Sequence, residues 1–177
     1  MQIASSKDVL ELWFSSAQQS RWYAKDDEFD AEIRRRFLAT YEAACSGNLD
    51  EWRQTPQSLL ALIILLDQFP RNMFRGSPRA FALDAQAVSL TKEGIEKGFD
   101  RCLSGAQVDF FHMPLMHSES LADQDLLVEL GHGDNRYARE HREIIARFGR
   151  FPHRNETLGR KNTVDEDSYL KQPHPSF

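Results

Sequence analysis

Apolar positions along this chain recur at helical spacing, and no stretch alternates in the manner of a strand. Ser5 with Asp8 resembles a capping box opening a first helix, "KDVLELWF". In "DEFDAEIRRRFLATYEAACSG", Phe29, Ile33, Phe37, Tyr41 and Cys45 follow one another at i+4, with Ala44 widening the same face. Gly47 supplies the stop. Thr55-Pro56 reads as an N-cap followed by proline at the first helical position. The helix it opens, "QSLLALIILLDQF", is apolar all round and must be buried on most sides. Pro70 is expected to break that helix and to place Arg71 and Asn72 in a tight turn. Ser77-Pro78 repeats the start signal for a helix running towards Gly98, with Phe81, Ala85, Val88 and Ile95 on its buried side.

The second half continues in the same way. A short helix is expected to end near Met113, because Pro114 disfavours helix in the residue before it. Ser118 then caps a helix through Leu130, broken by Gly131 and Gly133. Tyr137, His141, Ile144, Ile145 and Phe148 share one stripe, closed by Gly149, and a loop follows. Thr163 with Glu166 forms a capping box for a last short helix, and the tail "QPHPSF" is expected to be extended. Helices thus come in pairs joined by short turns, roughly one pair per 40 residues. The pattern predicts an all-α protein, a stack of antiparallel helix pairs in one domain over residues 1–177.

Composition narrows the function classes. Hydrophobic residues at 41% and charged residues at 28% are ordinary for a globular chain with a core. A net charge of -5 argues against non-specific nucleic-acid binding, which needs a basic face. The start has no basic region followed by an apolar core, and the longest apolar run, Leu59 to Leu66, is far shorter than the roughly 20 residues needed to span a bilayer. Cys45 and Cys102 have no metal or redox spacing. Together these features predict a cytoplasmic protein with no membrane segment and no cofactor.

The polar residues concentrate in three places. Asp67, Gln68, Arg71, Asn72 and Arg75 follow the most apolar helix in "LDQFPRNMFR". "GRFPHRNETLGR" repeats the Phe-Pro and Arg-Asn pattern with Arg150, His153, Arg154, Asn155 and Arg160. Arginine forks at such corners can satisfy helix-end carbonyls or pair with acids, and Asp67, Glu119 and Glu156 are the balancing acids in reach of this reading. They can equally present fixed forks to an anionic ligand, should the two corners converge. The third place is His117-Ser118-Glu119, where a helix cap competes with acid–base chemistry. His112, His117, His141 and His153 show no metal-binding spacing, and His141 lies on an apolar stripe where a hydrogen-bonded core histidine is expected. Arg34 to Arg36 read as a solvated face.

"LDQFPRNMFRG", "AFALDAQAVSL", "MPLMHSESLADQ" and "IIARFGRFPHRNETLGR", with "VLELWFSSAQQSRWYAKDDEFD" at the start, resemble the bacterial domain-of-unknown-function 924 family over almost the whole chain. The resemblance implies an all-α fold similar to tetratricopeptide helix stacks. It implies no established activity, so no catalytic residue carries over from it.

The functional expectation is therefore a small-molecule or anion site built from the three polar stretches. Asp67, Arg71, Asn72, Arg75, Arg150, Arg154 and Asn155 are the binding candidates, and His117, Glu119 and His153 the candidates for proton transfer. The alternative is a peptide- or protein-interaction module that uses the groove of a helical repeat.

Overall fold

The first helix begins where its capping box predicts. In the computed structural model, which describes residues 3–172, the Ser5 hydroxyl accepts the Asp8 N–H and the Asp8 carboxylate accepts the Ser5 N–H, opening α1 (Ser6–Trp13). Asp26 caps α2 (Asp27–Cys45) through the N–H groups of Glu28 and Phe29. Phe29, Ile33 and Phe37 on α2 are fully buried and Tyr41 nearly so. Cys45, expected on the same stripe, is exposed. A four-residue step overshoots the 3.6-residue turn by about 40°, so four successive steps carry Cys45 far round the helix. Ala43 and Ala44 take the buried positions there.

Thr55 caps α3 (Pro56–Met73) with Pro56 at the first helical position. Every residue from Leu59 to Pro70 is buried, which explains why no polar face appears in its sequence. The expected break at Pro70 does not occur: α3 continues through Arg71, Asn72 and Met73. Proline removes one helical N–H and its ring crowds the preceding turn, a cost that packing can offset near a helix end. Here the Phe74 N–H still bonds to the Pro70 carbonyl at 2.9 Å, and Arg71 donates to the Asp67 carbonyl at 2.5 Å. The same correction applies to Pro114, which lies inside α5 (Ala106–His117) rather than after its end.

Between them, a short 3-10 turn (Pro78–Phe81) precedes α4 (Asp84–Glu96). The single helix expected from Ser77 is thus split in two, and the buried face shifts. Ala87, Leu90, Thr91 and Gly94 face the core with Val88, whereas Ala85 is exposed and Phe81 and Ile95 are half-buried.

The chain divides into two compact units, one of Met1–Arg75 with Arg79–Pro114, the other of Gly76–Pro78 with Leu115–Phe177. In the first, α3 is the central element and packs against α1, α2, α4 and the 3-10 segment Asp50–Gln54. Trp13 completes its core among the rings of Trp22, Phe29, Phe69 and Phe110, at centroid distances from 5.3 to 6.2 Å.

In the second unit, α6 (Leu121–Glu129) packs against α7 (Arg136–Phe148), and α8 (Val164–Leu170) follows the turn Pro152–Arg154. Ile144, Ile145 and Phe151 form a buried cluster with Phe148 and Tyr169 against it. Asn135 caps α7, and Gly149 ends it at φ 69°, a left-handed conformation that glycine adopts without side-chain strain. Ala138, not Tyr137, opens the buried stripe, and Tyr137 is 58% exposed. Tyr137 stands one residue, about 100°, away from the stripe that Ala138, His141 and Ile145 define. The Thr163–Glu166 capping box forms as expected. The extended tail expected at 172–177 lies outside the described residues from 173 onward. Among the described residues there is no strand and no helix long and apolar enough to cross a membrane.

Gly94 gives a test of this packing. A Cβ placed there would lie 2.3 Å from Phe111 Cζ and 2.8 Å from Leu59 Cδ2, both side chains fully buried. Alanine in a helix gains up to about 1 kcal/mol over glycine, but overpacking a closed core costs about 1–3 kcal/mol. Gly94→Ala is therefore expected to lower the urea midpoint with an unchanged m-value. A raised midpoint would contradict the packing described.

Candidate functional site

The first polar corner lies on the last turns of α3. The Arg71 guanidinium closes as a fork on Asp84 of α4, at 2.9 and 3.0 Å, and lies 3.3 Å from the Asp67 carboxylate one turn back. Burial works against the Arg71 cation, but the charges of Asp67 and Asp84 outweigh it and its pKa is raised. Asp67 is fully buried and takes a short hydrogen bond from the Gln68 amide. Arg75 forks onto Asp30 of α2 at 2.8 and 3.0 Å, and Asn72 donates to the same carboxylate at 2.7 Å. Arg71 and Asn72 thus reach from a helix, and Arg75 from the turn just after it, to the helices on either side. Asp30 and Asp84 are the acids that sequence reasoning missed. Both stand in helix first turns, where an acid is expected for capping reasons alone, so nothing local marks them as arginine partners.

The second unit holds the other two polar stretches. His117 ends α5, and Ser118 and Glu119 precede α6, whose N-cap position is Ser120. The expected Ser118 cap is therefore replaced by a local turn. The Ser118 hydroxyl donates to buried Asp123 at 2.6 Å and accepts the Ser120 N–H at 3.2 Å. Gln124 fastens the turn from inside, its amide donating at 2.8 Å to the carbonyls of both Met116 and Ser118. Glu119, freed from a helical first turn, crosses to the Phe-Pro stretch. It accepts the Arg160 fork at 2.7 and 2.9 Å and the Phe151 N–H at 2.7 Å. Burial pushes its pKa up, but the Arg160 bond, the Phe151 amide and the charges of Arg160 and Arg154 prevail and lower it. Glu119 is thus a carboxylate that holds two turns together. Glu156, the other acid considered in this stretch, is exposed.

Around that carboxylate the "FPHRN" stretch is built on Phe151, which is fully buried. The Arg154 guanidinium stacks 4.5 Å from its ring centroid, and the rings of His141 and His153 lie at 5.4 and 5.5 Å. Arg154 is only 6% exposed, so its charge is held beside an aromatic face inside the unit. Arg150 forks onto Glu166 at 2.6 and 2.7 Å and donates to the Lys161 carbonyl at 2.9 Å. The Arg150 fork is the largest of the causes that bring the Glu166 pKa down to about 2. Asn155 donates to Asn162, which donates in turn to Asp167, both at 2.8 Å.

His141 is the buried, hydrogen-bonded histidine that its stripe predicts, but it is not surrounded by apolar groups alone. Its Nδ1 lies 2.8 Å from the Tyr137 carbonyl, which can only accept, so Nδ1 carries the proton and Nε2 the lone pair. Burial is the main cause that lowers its pKa to about 3, and the charges of His117, His153 and Arg154 push the same way. His117, His141, His153 and Arg154 therefore form one cluster of basic groups, with the Glu119 carboxylate close to Arg154. His112 lies in the other unit, 3.4 Å from Asp100. An open cleft of about 510 Å³ between α6 and α7, lined by Asp125, Glu129, Arg139, Arg142 and Glu143 among others, contains none of the candidate binding or proton-transfer residues.

Among the described residues, helices without strands, fastened by arginine forks at two Phe-Pro-containing stretches, define an all-helical protein. Residues 9–174 match the model of a family described as bacterial protein of unknown function (DUF924), and the chain belongs to that family. It is similar to the solved structure of a protein of unknown function, ATU0120, from Agrobacterium tumefaciens. That likeness has a TM-score of 0.88 at 39% identity and covers 94% of this chain and 96% of the other. No curated protein matches this chain.

The neutral state of His141 has a consequence for stability. Its folded pKa of about 3 lies below the ordinary 6.5, so between those values the unfolded chain binds a proton that the folded chain does not. Stability is then expected to fall as pH drops through that window, by up to about 1.4 kcal/mol per pH unit. His141→Gln should flatten the urea-midpoint curve between pH 6.5 and 5, above the carboxylate range. An equal slope in the variant would contradict the assignment.

Proposed function

We propose that this protein binds a small anionic molecule at the basic cluster of its second unit. The observation that carries the reading is the buried Arg154 guanidinium stacked on Phe151, with two imidazoles packed round the same ring. A guanidinium is costly to bury and is kept where planar, charged recognition is needed. Half-buried His153 packs on the same ring and half-buried His117 lies near His141, and these are the groups offered for proton exchange with a bound anion. Glu119 and Arg160 hold the two turns in register, and Arg150 with Asn155 steadies the loop that carries Arg154.

For Asp67, Arg71, Asn72 and Arg75, the forks onto Asp84 and Asp30 support a bracing role, tying α3 to α2 and α4. The order of helix pairs supports a tetratricopeptide-like stack for the fold. The exposed free cysteines Cys45 and Cys102 support a reducing, cytoplasmic setting.

Thermal-shift and calorimetric titration with inorganic phosphate, sulfate and small carboxylates test the reading. The native protein is expected to bind at least one of these. Arg154→Gln, checked for native helical circular dichroism, is expected to weaken that binding about 10- to 100-fold, the worth of a charge-assisted hydrogen bond. Binding that survives the substitution undiminished, or no binding by the native protein, would overturn the proposal.

A further inference from the structure

Two buried amides in the same unit have their orientation fixed by what they donate to. The Gln124 side chain faces two backbone carbonyls, those of Met116 and Ser118 on either side of His117. Carbonyls only accept, so the NH2 group must point at them and Oε1 must point away. Asn155 is fixed by a longer chain of the same logic. Asp167 is a carboxylate, so Asn162 turns its NH2 to Asp167 and its oxygen to Asn155. Asn155 then turns its NH2 to Asn162, and Oδ1 is left over. A hydrogen bond from Asn155 to Glu166 also requires this orientation.

Gln124 is 0% and Asn155 1% exposed, and neither Gln124 Oε1 nor Asn155 Oδ1 accepts a hydrogen bond from any donor among the described residues. Leaving one such acceptor buried and unmet costs about 1–3 kcal/mol, so a pair of them within one small unit calls for a donor. Both adjoin residues of the cluster described above. Gln124 clasps the peptide groups that flank His117, and Asn155 follows Arg154 directly. Arg160 Nε, a buried donor, likewise finds no acceptor among the described residues.

We infer that the ligand of this site carries N–H or O–H donors beside its negative charge, as an amino or hydroxy acid does, and that Gln124 and Asn155 accept them. The inference rests on the anion-site reading and narrows it. The basic cluster and the spare Arg160 donor meet the anion; the two amide oxygens select for the group next to it. A carboxylate, sulfate or phosphonate with no second donor would leave both oxygens unmet. Sites built to hydrogen-bond a ligand's hydroxyl or amine discriminate strongly against the analogue that lacks it.

Matched probe pairs read this directly: acetate against glycolate, and methylphosphonate against aminomethylphosphonate, each titrated into the full chain. The donor-bearing member is expected to bind about tenfold more tightly or better, as one additional hydrogen bond gives. Gln124→Met and Asn155→Ala are expected to bring that ratio towards one, the readout being the ratio within each variant and not its absolute affinity. Equal affinities within both pairs for the native protein would overturn this inference and leave anion binding standing. No binding by any of the four would overturn both. A ratio that persisted in both variants would overturn the assignment to Gln124 and Asn155. The native ratio needs no substitution, so a variant that failed to fold would not remove the test.

Discussion

A guanidinium brought beside a buried helix must meet a carboxylate held in the right plane, and the polar corners of this protein are organised by that requirement. A charge taken out of water costs several kcal/mol unless paired and hydrogen-bonded. Arg71 meets Asp84, Arg75 meets Asp30, Arg150 meets Glu166 and Arg160 meets Glu119, each through two donors of the fork. In the first unit the forks join neighbouring helices around the apolar α3. In the second, Arg160 joins two loops and Arg150 joins a loop to α8. Glu119 is the most consequential of these acids, because it also takes the Phe151 N–H and so fixes the segment that carries His153 and Arg154. Pairs of this kind add little net stability over apolar packing, but they permit few alternative arrangements. Pre-set geometry is what an anion site needs, since a ligand then meets groups that are already in place.

The elements and their starts were largely legible because the signals are local. Ser5 with Asp8, Thr55-Pro56 and Thr163 with Glu166 each act within four residues, and each cap forms as its sequence suggests. The i+4 stripe of α2 was legible for the same reason, until the drift of the helical repeat put Cys45 on the surface. The prolines were misread. Pro70 and Pro114 are buried inside helices, where tertiary packing outweighs the lost backbone bond, and no local rule weighs that balance. Ser118 does not cap α6, because its hydroxyl donates to the Asp123 carboxylate and accepts the N–H of Ser120, the N-cap position itself.

The site was legible in its residue types and much less in its pairings. Arg150, Arg154, His117 and His153 stand out in the sequence as polar residues beside apolar runs. Their partners do not. Asp30, Asp84 and Glu166 look like ordinary residues of helix first turns, and only the fold brings an arginine to each. Gln124 and Asp123 were hidden for a similar reason, since a polar residue inside a short helix gives no sign that it faces inwards. The family description names no activity. The functional reading therefore stands on the geometry of the second unit: a stacked arginine, three imidazoles and two amides whose oxygens are turned from their neighbours.

That geometry depends on the Glu119 carboxylate joining the two turns. A double-mutant cycle on Glu119→Gln and Arg160→Met, followed by urea unfolding, measures the link most directly. The account predicts a coupling of about 1–2 kcal/mol, with the low pKa of Glu119 returning to the usual glutamate range in the Arg160→Met protein. Additive effects of the two substitutions, with the Glu119 titration unmoved, would contradict it.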